Sequence, residues 1–311
     1  MGRALLLLLY ALAASSYSQD TSWRRVQIIM DTYAFLEGQH EALSTVEDQY
    51  PTLRHDVHAT RKVVDPIFES ARTNAHKLLL AELGRENFGA LQLKIRSTLD
   101  KQYEKPIEKE AHARDFLQEV RRRANGDLDK QLPAAILHLA YIDEPHNEWL
   151  LDPNHFAVAG NANLRLKMPM PKSWKEIDPA MPQALKHFTS MSGNGSEHMI
   201  VIAYDVSESK GDLLSENSIK EMIPPNAKLH AIESIEIDGY RAVSVDAEEE
   251  FEASGKRLKV RMLQFMIVAG GKLLCLQGSV GPITATRDIQ QHFKTFEPLF
   301  RLMALSTDVT E

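Results

Sequence analysis

The chain has 311 residues, 43% of them hydrophobic and 25% charged, with a formal net charge of −7. That length suits about two domains of roughly 150 residues each, and the acidic balance argues against nonspecific nucleic-acid binding, which needs a basic face. A single cysteine, Cys275, excludes an intrachain disulfide, and no internal apolar run reaches the ~20 residues of a membrane span.

The N-terminus reads as a cleavable targeting signal over residues 1–18. Arg3 supplies the charged start, Ala4 to Ala14 an apolar core too short to span a bilayer, and Ser16 and Ser18 the small residues of a cut before Gln19. Ala11-Leu12-Ala13 offers a second cut. The competing reading is an apolar first helix of the fold. Export implies a periplasmic or secreted protein.

Residues 19–126 read as a helical domain. Val26, Ile29, Tyr33, Leu36, His40 and Leu43 alternate spacings of three and four, the seam of helices packing side by side. Tyr50-Pro51 interrupts it, and Asp65-Pro66 reads as a cap with proline at the first helical position, hence a break or kink. Phe68, Ala71, Ala75 and Leu78 continue the pattern to Gly84, a helix-ending position. A third helix follows over 85–102 (Phe88, Leu91, Ile95, Leu99). A fourth spans 105–124 (Ile107, Ala113, Phe116, Leu117, Val120) and ends at Asn125-Gly126. The pattern fits an antiparallel bundle or an elongated hairpin offered to a partner. The long first seam, with Tyr33 and His40 at inward positions and Arg25, Glu37 and Glu41 outward, places the expected partner contact on this half.

Residues 127–160 read as a linker and docking segment, with Leu132 to Tyr141 an apolar island joining the halves. Residues 161–311 read as an antiparallel α/β sandwich. Leu164, Leu166 and Met168 alternate as a strand stopped by Pro169 and Pro171. Pro182 to Thr189 reads as a short helix, His198 to Tyr204 as a strand, and Ser215 as the cap of a helix to Met222. Four strands then follow: Lys228–Ile237, Tyr240–Phe251, Arg257–Val268 and Lys272–Val280. Asp238-Gly239 and Gly270-Gly271 supply the positive φ of two-residue hairpins, so these strands form a meander. In the third, Leu258, Val260, Met262, Met266 and Val268 face one way and Leu263, Phe265 and Ile267 the other, so both faces need cover. A last helix over 285–305 (Ile289, Phe293, Phe296, Leu299, Phe300, Met303) covers one of them. The fold class expected is α+β.

The order of the second half resembles the α/β sandwich of the PsbP-like and DcrB-like proteins. Its carriers are the Leu164–Met168 strand with Pro171 and Trp174 after it, the Ile235–Gly239 turn approach and the Phe293–Phe300 helix. The resemblance covers residues 160 to 305 and is architectural. It implies an assembly factor, chaperone or binding module rather than an enzyme.

Candidate sites are sparse. His55 and His58 could share a metal, but two ligands are too few for zinc. Asp246, Glu248, Glu250 and Glu252 share one strand face and Glu249 the other, reading as a solvated strand end or as a cation or basic-partner patch. Ser190 to Ser196 lacks the order of a nucleophile elbow and the lysine of a phosphate loop. Asn194-Gly195-Ser196 spells a glycosylation sequon. Trp174 reads as a core anchor or pocket wall, and Cys275 as a buried packing residue. No catalytic residue, metal or cofactor is expected. The reading is an exported noncatalytic protein that binds another envelope or extracellular protein. The alternatives are a hydrolase with an unrecognised site and a carrier of an apolar ligand near Met262, Met266 and Met303.

Overall fold

The computed structural model describes residues 20–124, 131–161, 164–179, 181–206, 211–253, 255–284 and 288–311. The signal at 1–18 lies outside them. Two compact units result: Ser22–Asp143 forms one, and Glu144–Glu311 belongs to the other. The whole is α+β, helices first and antiparallel sheets after.

In the helical unit α1 (Asp20–Gln49) leads through a single 3-10 turn (Pro51–Leu53) into α2 (Arg54–Tyr103). The sole non-helical residue of α2 is Gly84, at φ 76° and ψ 164°, which breaks it into two limbs. Positive φ costs glycine nothing, so the chain reverses there. Paired side chains give the directions. Arg25 meets Glu82, Glu37 meets Arg72, His40 meets Glu69 and Glu47 meets His58, so the first limb runs antiparallel to α1. Gln92 then bonds Tyr33 and Tyr103 the carbonyl of Gly38, so the second limb runs parallel to α1. α3 (Glu110–Ala124) returns, with Arg123 on Gln39. α4 (Gln131–Ala140) packs on α2, and Asn74 caps its end by donating to the carbonyl of Leu139 at 2.9 Å.

The result is five rods, in which α1 meets both limbs of α2 and α3 while α4 packs on α2. Val26, Ile28, Ile29, Thr32, Tyr33, Leu36, Gln39, Leu43 and Val46 are all buried, positions too widely spread round the helix for one stripe. Three sequence readings change. The helix continues through Pro66 without a break. His40 is half-exposed against Glu69, and Gln39 takes the buried place instead. Arg25 and Glu37 are not free surface charges but inter-rod ion pairs. The seam of α1 is filled by the chain's own rods, which removes the motive for a partner contact there.

The second unit holds two sheets. β1 (Phe156–Asn161), β2 (Leu164–Pro169) and β10 (Asp308–Thr310) form the small one. β3 (Lys175–Ile177), β4 (Ala184–Thr189), β5 (Glu197–Asp205), β6 (Ala227–Ile237), β7 (Tyr240–Ala253), β8 (Lys256–Ala269) and β9 (Lys272–Thr284) form the large one, in the order β3-β4-β5-β9-β8-β7-β6. The meander β6 to β9 is as the alternation and turns foretold, and Asp238, Gly239, Gly270 and Gly271 all have positive φ. Residues 184–189, expected to be helical, are strand β4, paired with β5. A run of six residues is too short for period alone to separate helix from strand. The stretch 127–160, read as linker, carries α4 in the helical unit and β1 in the other.

α6 (Ile289–Leu305) covers one face of the large sheet and also touches β2. Leu263, Phe265, Ile267, Phe293, Phe296, Phe300 and Met303 share that core with Leu166 and Met168 of the small sheet. Gly278 lies beneath Phe300; a Cβ there would sit 2.3 Å from the ring. On the opposite face Val260, Met262, Met266 and Cys275 pack with Ile219 of α5 (Glu216–Met222), whose cap Ser215 accepts from the amide of Ser218. Met262 and Met266 therefore lie on the other side of the sheet from Met303 and line no common cavity with it.

Candidate functional site

Two constructions in the second unit gather polar groups in a way the sequence reading did not foresee. The first is a carboxylate box. Glu197 opens β5 on the inward register of Met199 and Val201, and only 3% of it is exposed. Ser190 donates to its Oε2, Ser196 to its Oε1 at 2.7 Å, and Nε2 of His292 on α6 stands 2.6 Å from Oε1. Ser190 is delivered by a single turn, Ser190–Gly193, in which Met191, Ser192 and Gly193 all have positive φ. Left-handed backbone costs a non-glycine residue about 1–2 kcal/mol, so the contacts around it hold it in place. The amide of Ser192 donates to the carbonyl of Ser173 at 2.7 Å, and the side chain of Asn194 donates to the carbonyls of Met191 and Ser192.

This order is serine, glutamate, histidine. A serine nucleophile needs the histidine between the other two, as base to the hydroxyl. Here Ser196 and His292 approach the same carboxylate oxygen, and Ser190 is wholly buried, so the box fastens α6 to β5 and to the 190–196 turn. The sequon is closed as well: Asn194 is buried and its amide nitrogen is committed to two carbonyls.

Beside the box, on the other face of β5, His187 Nε2 and His198 Nδ1 stand 3.1 Å apart, with Thr189 Oγ1 3.0 Å from the same Nδ1. Burial, reinforced by His198, pushes His187 down to about 3; burial pushes His198 down to about 4, against the pull of Glu197 and of a hydrogen bond to the Gly281 backbone. Both imidazoles are neutral at physiological pH.

The second construction is a groove of about 360 Å³ between the helical turn His146–Trp149 and the C-terminal half of α6. His146, Trp149 and Leu150 form one wall, and Pro298, Arg301, Leu302, Leu305 and Ser306 the other. Leu150 is 61% exposed, Leu305 42% and the neighbouring Leu151 40%. The turn is pinned from behind by Glu148, whose two oxygens accept from the amide and the hydroxyl of Ser173, each at 2.7 Å. Burial pushes Glu148 up to about 7, against the stabilising hydrogen bonds from Ser173.

The residues singled out from sequence are scattered. His58 contacts Glu47 at 2.8 Å and His55 is exposed. No group of three metal-ligating side chains forms among the described residues. The acidic strand is largely matched by its own chain: Arg261 takes Asp246 at 2.6 Å and Glu248 at 3.7 Å, and Arg257 takes Glu250 at 2.8 Å. Glu249 is buried against Asn226, and burial raises its carboxyl. Trp174 is a core residue, edge-on to Phe300 at 6.4 Å. Cys275 is buried, which pushes its thiol up to about 12. Glu197 and Arg261 had a legible signal, a charge on the inward register of an apolar strand. Glu148 had none, because a single helical turn carries no period.

No family model matches the chain, and no curated protein matches it. Among solved structures it is similar to LpqN, a protein involved in cell envelope biogenesis of Mycobacterium tuberculosis, at 14% identity and a TM-score of 0.33, over 51% of this chain and 94% of that one. It is also similar to PA94 of Pseudomonas aeruginosa, a protein of unknown function described as a regulator, at 16% identity and a TM-score of 0.26, over 48% of this chain and 92% of that one. Both scores are too low to equate either folds or functions. No helix among the described residues is long and apolar enough to cross a membrane.

Proposed function

We propose that the protein is exported and acts without catalysis, by binding another envelope or extracellular protein through the groove between His146–Trp149 and α6. One observation carries this: the groove is flanked by leucines that project outward, Leu150 and Leu305. Its volume sits at the small end of the ~300–1,000 Å³ range of ligand sites, and its apolar surface continues past the rim. An open apolar surface of that form suits the side chains of a polypeptide segment better than an enclosed small molecule. The resemblance to PsbP-like and DcrB-like sandwiches, and the signal over residues 1–18, support the same reading.

The test uses the full chain with a photo-crosslinking residue at position 150, and separately at 93, since Leu93 is 72% exposed on the helical unit. Expressed in its native cell, the protein should give one discrete adduct from position 150, absent from position 93 and abolished by Leu305→Glu. Equal capture from both positions, or capture indifferent to Leu305→Glu, removes the groove as the binding site.

A further inference from the structure

The helical unit reverses direction on one residue. Gly84, at φ 76° and ψ 164°, is the sole non-helical position between the first limb of α2 (54–83) and the second (85–103). Connections between antiparallel helices usually take about 2–5 residues. The reversal also takes helical partners from the carbonyls before Gly84 and the amides after it. The side chain of Asn87 answers one of them, donating to the carbonyl of Leu83 at 3.0 Å. Right-handed φ and ψ at this one residue would restore the ladder and make α2 a single rod about 75 Å long. The hinge is uncrowded: a Cβ added at Gly84 or at Gly89 would find nothing packed within 4 Å. The second limb is also thinly held. Among the described residues 85–103, Phe88 alone is buried, its ring 5.6 Å from that of Tyr33 and 4.7 Å from that of His76.

We propose that a second copy of this chain is a partner of the helical unit, engaged by exchange at Gly84: α2 straightens, and the α1 and first limb of each copy accept the second limb and α3 of the other. Such an exchange needs no newly fitted surface, because the contacts it uses already exist within one chain. The contacts here qualify, since they join residues before Gly84 to residues after it. Gln92 meets Tyr33, Tyr103 the carbonyl of Gly38, Arg123 Gln39, and Asn74 the carbonyl of Leu139. The seam of α1 that one chain's rods fill is filled equally by the same rods from a second copy. The closed chain keeps the one-residue reversal, and the exchanged pair replaces it, at each of two hinges, with unbroken helix. Short hinges are the ones that invite exchange. The proposal is independent of the groove.

The test is the distance between positions 62 and 101 of one full chain, read from spin labels on Lys62→Cys and Lys101→Cys and diluted into unlabelled protein. Both lysines are exposed, and the native Cys275 is buried. Folded back, the two positions lie within about 20 Å of each other, whereas on a straight α2 they are about 58 Å apart. Refolded at high concentration, the otherwise unaltered chain should give a dimer by light scattering with the long intrachain distance, beside a monomer with the short one. Gly84→Ala should shift this toward dimer. Left-handed backbone disfavours alanine and helix interior favours it over glycine, together about fiftyfold per hinge. With two hinges the dimerisation constant should rise on the order of a thousandfold. Inserting three glycines after Gly84 should do the reverse and leave monomer alone. If Gly84→Ala fails to fold, the unaltered chain and the glycine insertion decide. The exchange is overturned by an unaltered chain that stays monomeric at every concentration, or by a dimer that keeps the short intrachain distance. It is equally overturned by a dimer fraction indifferent to the three glycines, or by a folded Gly84→Ala chain no more dimeric than the unaltered one.

Discussion

The two units differ in whether they bury charge as well as display it. In the helical unit, ion pairs lie along the rims of the rod contacts: Arg25–Glu82, Arg72–Glu37, His40–Glu69 and Arg114–Asp56, with side chains 23% to 52% exposed. Pairs of that kind contribute about 0–1 kcal/mol each and weaken with salt. Their value is directional, because they fix which rod runs beside which. The second unit has exposed pairs of the same kind, such as Lys220–Glu216 and Lys272–Asp205, and adds charges that are buried: Glu148, Glu197, Glu249 and Arg261 are each 5% exposed or less. Removing a partner there leaves a charge with no water. One unit is therefore expected to respond to ionic strength and the other to pH and to single substitutions.

The sharpest way to break this contrast is Arg261→Ala. It strips the guanidinium from Asp246 and Glu248 and from the ring of Phe293, 5.1 Å below it. Breaking a buried pair in this way should cost about 3–5 kcal/mol, and near-ultraviolet circular dichroism should show the loss of sandwich packing while the helical far-ultraviolet signal largely survives. A cost below ~1 kcal/mol would place Arg261 with the surface pairs and erase the distinction.

Acid should come next in size. The folded chain keeps His187 and His198 unprotonated, at about 3 and about 4, whereas the unfolded imidazoles take protons near 6.5. Their contribution is complete above 6.5 and is lost as the pH falls toward 4 and then 3. Denaturant titrations at pH 7 and pH 5 should show the second unit weakened at the lower pH, and His187→Gln should shrink that difference.

Salt should have the smallest effect. Raising sodium chloride from 0.05 to 0.5 M should lower the stability of the helical unit by less than ~1 kcal/mol, read from helix-unit amides in hydrogen exchange. A larger loss would mean that the rim pairs do more than set direction.

The same contrast explains what was legible in the chain. Long periodic stretches could be read: the rods, the reversal at Gly84, the β6–β9 meander and the covering helix each repeat a local rule many times. Short elements could not. β3 and β10 have three residues each and the His146–Trp149 turn four, too few to display a period. β4 failed because its six residues follow Pro182, a helix-start signal that the sheet overrode. Pro66 does not end the helix as a local breaker would, since the first α2 limb packs on α1 along both sides of it. The groove and the carboxylate box depend on which short pieces meet, and that is decided by pairing over long sequence separations.

The central position of α1 has a consequence for how the protein is made. Every rod shown against it lies later in the chain, the last of them, α3, ending at Ala124. As synthesis proceeds from the N-terminus, the first helix to emerge is the last to be enclosed. A partial chain therefore has no finished helical unit to fall into, only an apolar rod lacking some of its cover. Residues 26–46 are therefore the stretch whose apolar surface waits longest for its cover while the chain is being made.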